Sequence, residues 1–128
     1  MDEAQTKRCL EEIFTACVGA AHPAKILAEH LPEPPTGRIV VLAAGKAAAS
    51  MASAAFEHYR DICGLDPARI TGVAVTREGY ALPAGPIRVV EAGHPLPNEA
   101  GLAATEEVLE LAAGAGEGDL VLALISGG

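Results

Sequence analysis

Four short stretches carry side chains or bare backbone suited to holding an anion. Gly45-Lys46 lies in the run RIVVLAAGKAAASM, where a β-branched apolar segment passes through a small-residue corner into an alanine-rich helix. A helix start leaves its first N–H groups unpaired and carries about half a positive charge, so a phosphate is favoured there. Lys46 has the wrong sign for that end of a helix, and a local conflict of this kind is tolerated where function needs the charge. Ser126-Gly127-Gly128 follows another apolar run and offers N–H groups that no side chain obstructs, as glycine-rich loops do for phosphate oxygens. Arg77, in VTREG, puts a guanidinium after a strand-like segment and suits a bidentate phosphate or carboxylate contact. His94, held between Gly93 and Pro95, suits a hydrogen bond to a substrate hydroxyl or phosphate, or proton transfer near neutral pH. Each has a plainer alternative: an exposed turn lysine, a flexible glycine end, a solvated loop arginine, a histidine bracing its own loop. Neither GxGxxG nor GxxxxGKS/T occurs, which argues against a standard dinucleotide or Walker-type site.

These corners matter together only if a scaffold brings them to one place. Leu10, Ile13, Phe14, Cys17 and Val18 recur at spacings of three and four, one face of an amphipathic helix that ends near Gly19. His22-Pro23 opens a second short helix with Ile26, Leu27 and Leu31 on its apolar side, and Pro32, Pro34, Pro35 and Gly37 stop it. Four strands are expected, at Ile39 to Ala43, Ile70 to Thr76, Ile87 to Glu91 and Leu120 to Ile125. Between them fall a helix from Lys46 through Tyr59, a loop REGYALPAG, and a helix capped by Asn98 that carries Leu102, Val108, Leu109 and Leu111. Strands alternating with helices imply parallel pairing, hence a three-layer α/β/α Rossmann-like domain with a mainly parallel sheet of about four strands. Ligands in such sheets bind beyond the carboxyl ends of the strands, where the loops after residues 43, 91 and 125 would converge.

The 128 residues are enough for one domain with a real core. A net charge of −8 argues against nucleic acid or an acidic membrane surface as a partner, so any phosphate must be met locally. Cys9, Cys17 and Cys63 form no CxxC pair, and their odd number fits a reduced, cytoplasmic protein. The polar start MDEAQTKRCLEEIF has no secretory apolar region, and no apolar run is long enough to span a bilayer. His22, His30 and His58 share no metal-type spacing, so no metal site is expected. The chain stops at Ser126-Gly127-Gly128 directly after a buried-type strand, where a turn and a helix normally follow, so a truncation is expected.

The succession of a helical lead-in, VLAAGKAAASMA, GVAVTREGY, IRVVEAGHPLPNEAG and DLVLALISGG resembles the N-terminal part of the glycerate 2-kinases of the MOFRL type. Members of that family are often labelled hydroxypyruvate reductases. The resemblance covers nearly the whole chain, and its most specific pieces are the GK corner, the EAGHPLPNEAG stretch and the terminal LISGG. It implies ATP-dependent phosphorylation of D-glycerate at its 2-hydroxyl, with Mg2+, and gives Lys46 the place of the family's important lysine. It also implies a site in the cleft between a large α/β domain and a C-terminal domain. Residues 1–128 would then be the N-terminal part of the large glycerate kinase domain, without the MOFRL domain and inactive alone. Two departures stand out: the SGG element stops where the family adds a glycine and a serine, and Asn98 replaces the aspartate common in HPxPD. Asparagine keeps the cap chemistry and removes a charge. The alternatives are an NAD(P)H-dependent hydroxypyruvate reductase, disfavoured by the missing glycine fingerprint, and a non-catalytic small-ligand-binding module. Unpaired edges at the terminal strand make a homodimer an expectation as well.

Overall fold

An unbroken apolar run such as IVVLAA cannot face water on either side, and it forms the covered centre of the sheet. The computed structural model describes residues 1–127. Its strands are β1 (Ile39–Ala44), β2 (Ile70–Arg77), β3 (Arg88–Ala92) and β4 (Leu120–Ile125). All are parallel, in the spatial order β3-β2-β1-β4. The helices are α1 (Glu3–Ala20), α2 (Pro23–Ile26), α3 (Ala48–Glu57) and α4 (Glu99–Ala113).

Alternate residues of a strand face opposite ways, and β1 divides its side chains accordingly. Ile39, Val41 and Ala43 pack with Ala48, Ala52, Ala55 and Phe56 of α3, while Val40 and Leu42 pack with Val108, Leu111 and Ala112 of α4. The step from β1 to β2 and the step from β3 past β1 to β4 run in opposite directions across the sheet. Crossovers of one hand therefore place α3 and α4 on opposite faces, which gives the three-layer α/β/α domain. Within the sheet, β1 and β2 approach closely at Gly72, where a Cβ would run into the carbonyl of its register partner Val41.

The amino ends of β1 and β4 are latched by one carboxylate. Asp119 accepts the N–H of Gly116 at 3.0 Å and of Arg38 at 2.7 Å, and pairs with the Arg38 guanidinium at 3.0 Å. These donors, the Gly116 N–H foremost, lower its pKa from 3.8 to about 2. Elsewhere, burial pushes the Tyr59 hydroxyl up to about 12, and that hydroxyl donates to the Pro32 carbonyl at 2.8 Å, tying the proline-rich link to the end of α3.

Four expectations are corrected. The helix expected from Lys46 through Tyr59 begins at Ala48 and passes into a π-helical turn, His58–Ile62; Gly45, at φ +112°, turns the chain so that Lys46 lies in the corner and not in the helix. Arg77 closes β2, in register with Ala92, instead of following it, and β3 starts at Arg88. On α4, Leu102 and Leu109 are exposed, and the contact with the sheet is made by Ala104, Val108, Leu111 and Ala112. No residue of α1 is buried, so the apolar stripe Leu10, Ile13, Phe14 and Val18 faces outward, and all three cysteines are exposed and free. No described helix is long and apolar enough to cross a membrane.

Candidate functional site

The last residues of β1 and β4, Ala44 and Ile125, are register partners, so the loops that leave these two strands start side by side, while β2 runs on past Val75, the partner of Ala44, to Arg77. From β1 the chain moves outward through β2 to β3, then returns to the other side of β1 as β4. The strand order thus reverses between β1 and β4, and in open α/β sheets the crevice at such a switch point is where ligands bind. Gly45-Lys46 leaves one side of this crevice and Ser126-Gly127 the other.

A cavity of about 360 Å³ opens there, and Gly45, Lys46, Arg77, His94, Ser126 and Gly127 all line it. The corners expected to converge do so; Gly128 lies outside the described residues. Along the sheet edge they stand in strand order: His94 after β3, Arg77 on β2, Gly45-Lys46 after β1, Ser126-Gly127 after β4. Neighbouring strands are about 4.8 Å apart, so the row extends over roughly 15 Å, the scale of a small metabolite plus a polyphosphate.

The Gly45-Lys46 corner is clamped from both neighbouring strands. The Gly45 N–H donates to the Val75 carbonyl at 3.1 Å, and the Thr76 hydroxyl donates to the Lys46 carbonyl at 3.3 Å. From the other side the Ser126 N–H donates to the Ala44 carbonyl at 3.0 Å, and the Ser126 hydroxyl accepts the Ala47 N–H at 3.1 Å. A Cβ on Gly45 would collide with Ser126, so its positive φ and its contact both require glycine.

This clamp changes how an anion is met. The Ala47 N–H is taken by Ser126 and the Ala48 N–H by the Gly45 carbonyl, while the Ala49 and Ser50 N–H groups in the first turn of α3 have no hydrogen-bond partner among the described residues. The N–H groups of Lys46 and Gly127 have no hydrogen-bond partner among the described residues, and they stand on the two sides of the crevice. On the cavity lining itself the anion-holding set is a side-chain ammonium with loop N–H groups.

Charge sharpens the same point. Within a chain of net charge −8, the cavity lining holds Lys46 and Arg77 and no Asp or Glu. Neither cation makes an ion pair among the described residues. The Arg77 guanidinium lies over the Tyr80 ring, 4.9 Å from its centroid. Glu91, on the neighbouring strand, is occupied by the N–H groups of Gly79 at 2.8 Å and Ala81 at 3.4 Å, which fixes the loop that carries Tyr80. His94 precedes a cis peptide bond to Pro95, in a loop held by Asn98, whose Oδ1 accepts the N–H groups of Gly93 at 3.0 Å and Gly101 at 3.1 Å.

Magnesium requires hard oxygen donors, usually carboxylates. The cavity lining has no carboxylate, and its two hydroxyls, Thr76 and Ser126, are engaged in the clamp. No cluster of three metal-ligating side chains occurs among the described residues. The donor set fits an anion and does not fit this metal. Sequence reasoning overlooked Thr76, Tyr80 and Glu91, whose roles rest on tertiary partners; the one local signal was a polar residue ending an apolar strand, Thr76 in VAVTR.

A family model described as a domain of unknown function, DUF4147, matches residues 9–128. The protein of Agrobacterium vitis named "Putative hydroxypyruvate reductase" is 42% identical over 127 residues, covering 99% of this chain and 28% of its own length. The D-glycerate 2-kinase of Thermotoga maritima is 38% identical over 130 residues, covering 99% of this chain and 29% of that protein. Among solved structures, a glycerate kinase from Thermotoga maritima superposes with a TM-score of 0.75 at 36% identity, over 97% of this chain and 29% of that one. The chain thus spans less than a third of the length of these relatives.

Proposed function

The chain belongs to the DUF4147 family, and on that premise we propose that it supplies the anion-binding half of an ATP-dependent D-glycerate 2-kinase. The observation that carries the reading is the cavity at the switch point, lined by two unpaired cations and open loop N–H groups and free of acids. Phosphoryl transfer is catalysed chiefly by positioning and by charge placed where negative charge moves, and this lining offers both. In the reaction the 2-hydroxyl oxygen of glycerate bonds to the γ-phosphorus as the bond from that phosphorus to the bridging oxygen of ADP breaks. The hydroxyl proton leaves to a base.

Lys46 is the catalytic residue of this proposal, its ammonium following the charge from the bridging oxygen to the transferred group. Gly45, Ser126 and Gly127 shape and line the phosphate side, with Gly128 next in the chain. His94, exposed at the cavity mouth, bonds in this reading a substrate hydroxyl other than the one that reacts. Because the lining lacks magnesium ligands, no step is assigned to a metal held by these residues. The remaining parts of the proposal are in keeping with relatives of more than three times this length: residues 1–128 as the N-terminal part of a large α/β domain, a C-terminal MOFRL domain that completes the cleft, and a chain inactive alone. The reductase name carried by some relatives gains no support from the β1 turn, which reads AAGKAA and lacks the glycine fingerprint for a pyrophosphate.

The test is Lys46→Met in the complete protein. Turnover of ATP with D-glycerate falls by about a hundredfold or more, with the far-ultraviolet dichroism and melting temperature unchanged. Near-native turnover would make the corner structural and overturn the assignment.

A further inference from the structure

We propose that Arg77, braced on Tyr80, is the residue of the site that recognises the substrate's carboxylate and so sets its preference for the acid. The inference rests on the kinase reading for the orientation of the ligand, and on the spatial order of the strands for the residue.

A 2-hydroxy acid carries its carboxylate one carbon from the hydroxyl, so the group that reads the carboxylate must lie beside the place of reaction. It must also lie on the side away from the phosphoryl donor. Strand order meets both conditions. Ser126-Gly127 and Lys46 follow the adjacent strands β4 and β1, with open N–H groups after both, which defines the phosphate side. Arg77 stands on β2, one strand spacing of about 4.8 Å beyond Lys46 and away from β4. His94 follows β3, beyond Arg77. Read from β4 to β2, the row is phosphate cradle, reacting hydroxyl, carboxylate.

The state of the Arg77 side chain fits recognition rather than structure. The pairs Arg38–Asp119, Arg60–Asp61 and Arg88–Glu107 bind their guanidinium groups to acids, and Arg69 spends its donors on the carbonyls of Pro35, Thr36 and Gly37. Arg77 instead lines the cavity, half-buried, with its guanidinium over the face of Tyr80 at 4.9 Å. The guanidinium makes no hydrogen bond or ion pair among the described residues, so its N–H groups are free for the two parallel hydrogen bonds that a carboxylate accepts. Glu91, which could have neutralised it, is held by the Gly79 and Ala81 N–H groups.

The experiment compares the complete protein with Arg77→Gln, Arg77→Lys and Tyr80→Ala, in steady-state assays of ATP consumption and by calorimetric titration of D-glycerate without nucleotide. Arg77→Gln raises the KM for D-glycerate about tenfold or more and leaves the KM for ATP within about twofold. It also narrows the preference for D-glycerate over glycerol, which lacks the carboxylate. Arg77→Lys restores part of the glycerate affinity, and Tyr80→Ala gives a smaller rise in the same KM. An unchanged glycerate KM, or a rise confined to ATP, overturns the assignment. Glycerate binding that is lost in Arg77→Gln, in a wild-type protein that does not consume ATP with glycerate, would sink the kinase reading and support the carboxylate site.

Discussion

A hydroxyl at the end of a buried strand has few acceptors within reach, and Thr76, the one buried polar residue among those described, takes the carbonyl of Lys46. Its contribution is to position, since it touches the backbone of the corner and leaves the ammonium free. Thr76→Val keeps the shape and removes the donor, leaving a carbonyl short of a partner at a cost of about 1–3 kcal/mol. We expect Thr76→Val to lower both the melting temperature and kcat of the complete protein, with the KM for ATP little altered, and Thr76→Ser to recover both. Equal effects of valine and serine would show that the methyl group, not the hydroxyl, is what the site requires. Ser126 holds the opposite flank with its own hydroxyl, so the corner bearing Lys46 is fixed by two side chains from two different strands.

At the level of elements, the latch between β1 and β4 is a carboxylate whose folded pKa lies near 2, below its ordinary 3.8. A lowered folded value means that the native state holds its proton less tightly than the unfolded chain does. The stabilisation is therefore present above about pH 4 and disappears as the pH falls toward about 2. Melting curves of wild type and Asp119→Asn should differ most near neutral pH and converge across that acid window; a constant difference would place the effect elsewhere than in the charge. The strands that this latch joins were legible in the sequence, because IVVLAA and LVLALI are apolar without a break and glycine or proline bounds the segments between them. The order of the strands was not, since nothing local tells β4 to lie beside β1. Nor was the inner face of α4, where small Ala104 and Ala112 approach the sheet and the larger Leu102 and Leu109 do not. Of the site, the residues facing the ligand were readable from type and position, whereas Thr76, Tyr80 and Glu91 act through neighbours that are distant in sequence or supplied by a turn.

Over the whole molecule, the cationic cavity is a local exception on an acidic surface. With a Debye length of about 8 Å at physiological salt, the ligand responds to the cavity lining once it has entered, not to the net charge of −8. The apolar stripe of α1 and the outward Val121 and Ile125 of β4 are open, as surfaces are where further protein packs. We expect residues 1–128, expressed alone, to show no glycerate-dependent ATP consumption in a coupled assay, while longer protein including the C-terminal domain does; turnover by the short chain would refute this. The Asp119 latch and the Lys46 corner lie at opposite ends of a strand six residues long, about 20 Å apart. Heritable change can therefore act on them separately: a lineage moving to hotter or more acid surroundings can rewrite the latch end without disturbing its chemistry, and one acquiring a new substrate can redraw the loop end on an inherited frame.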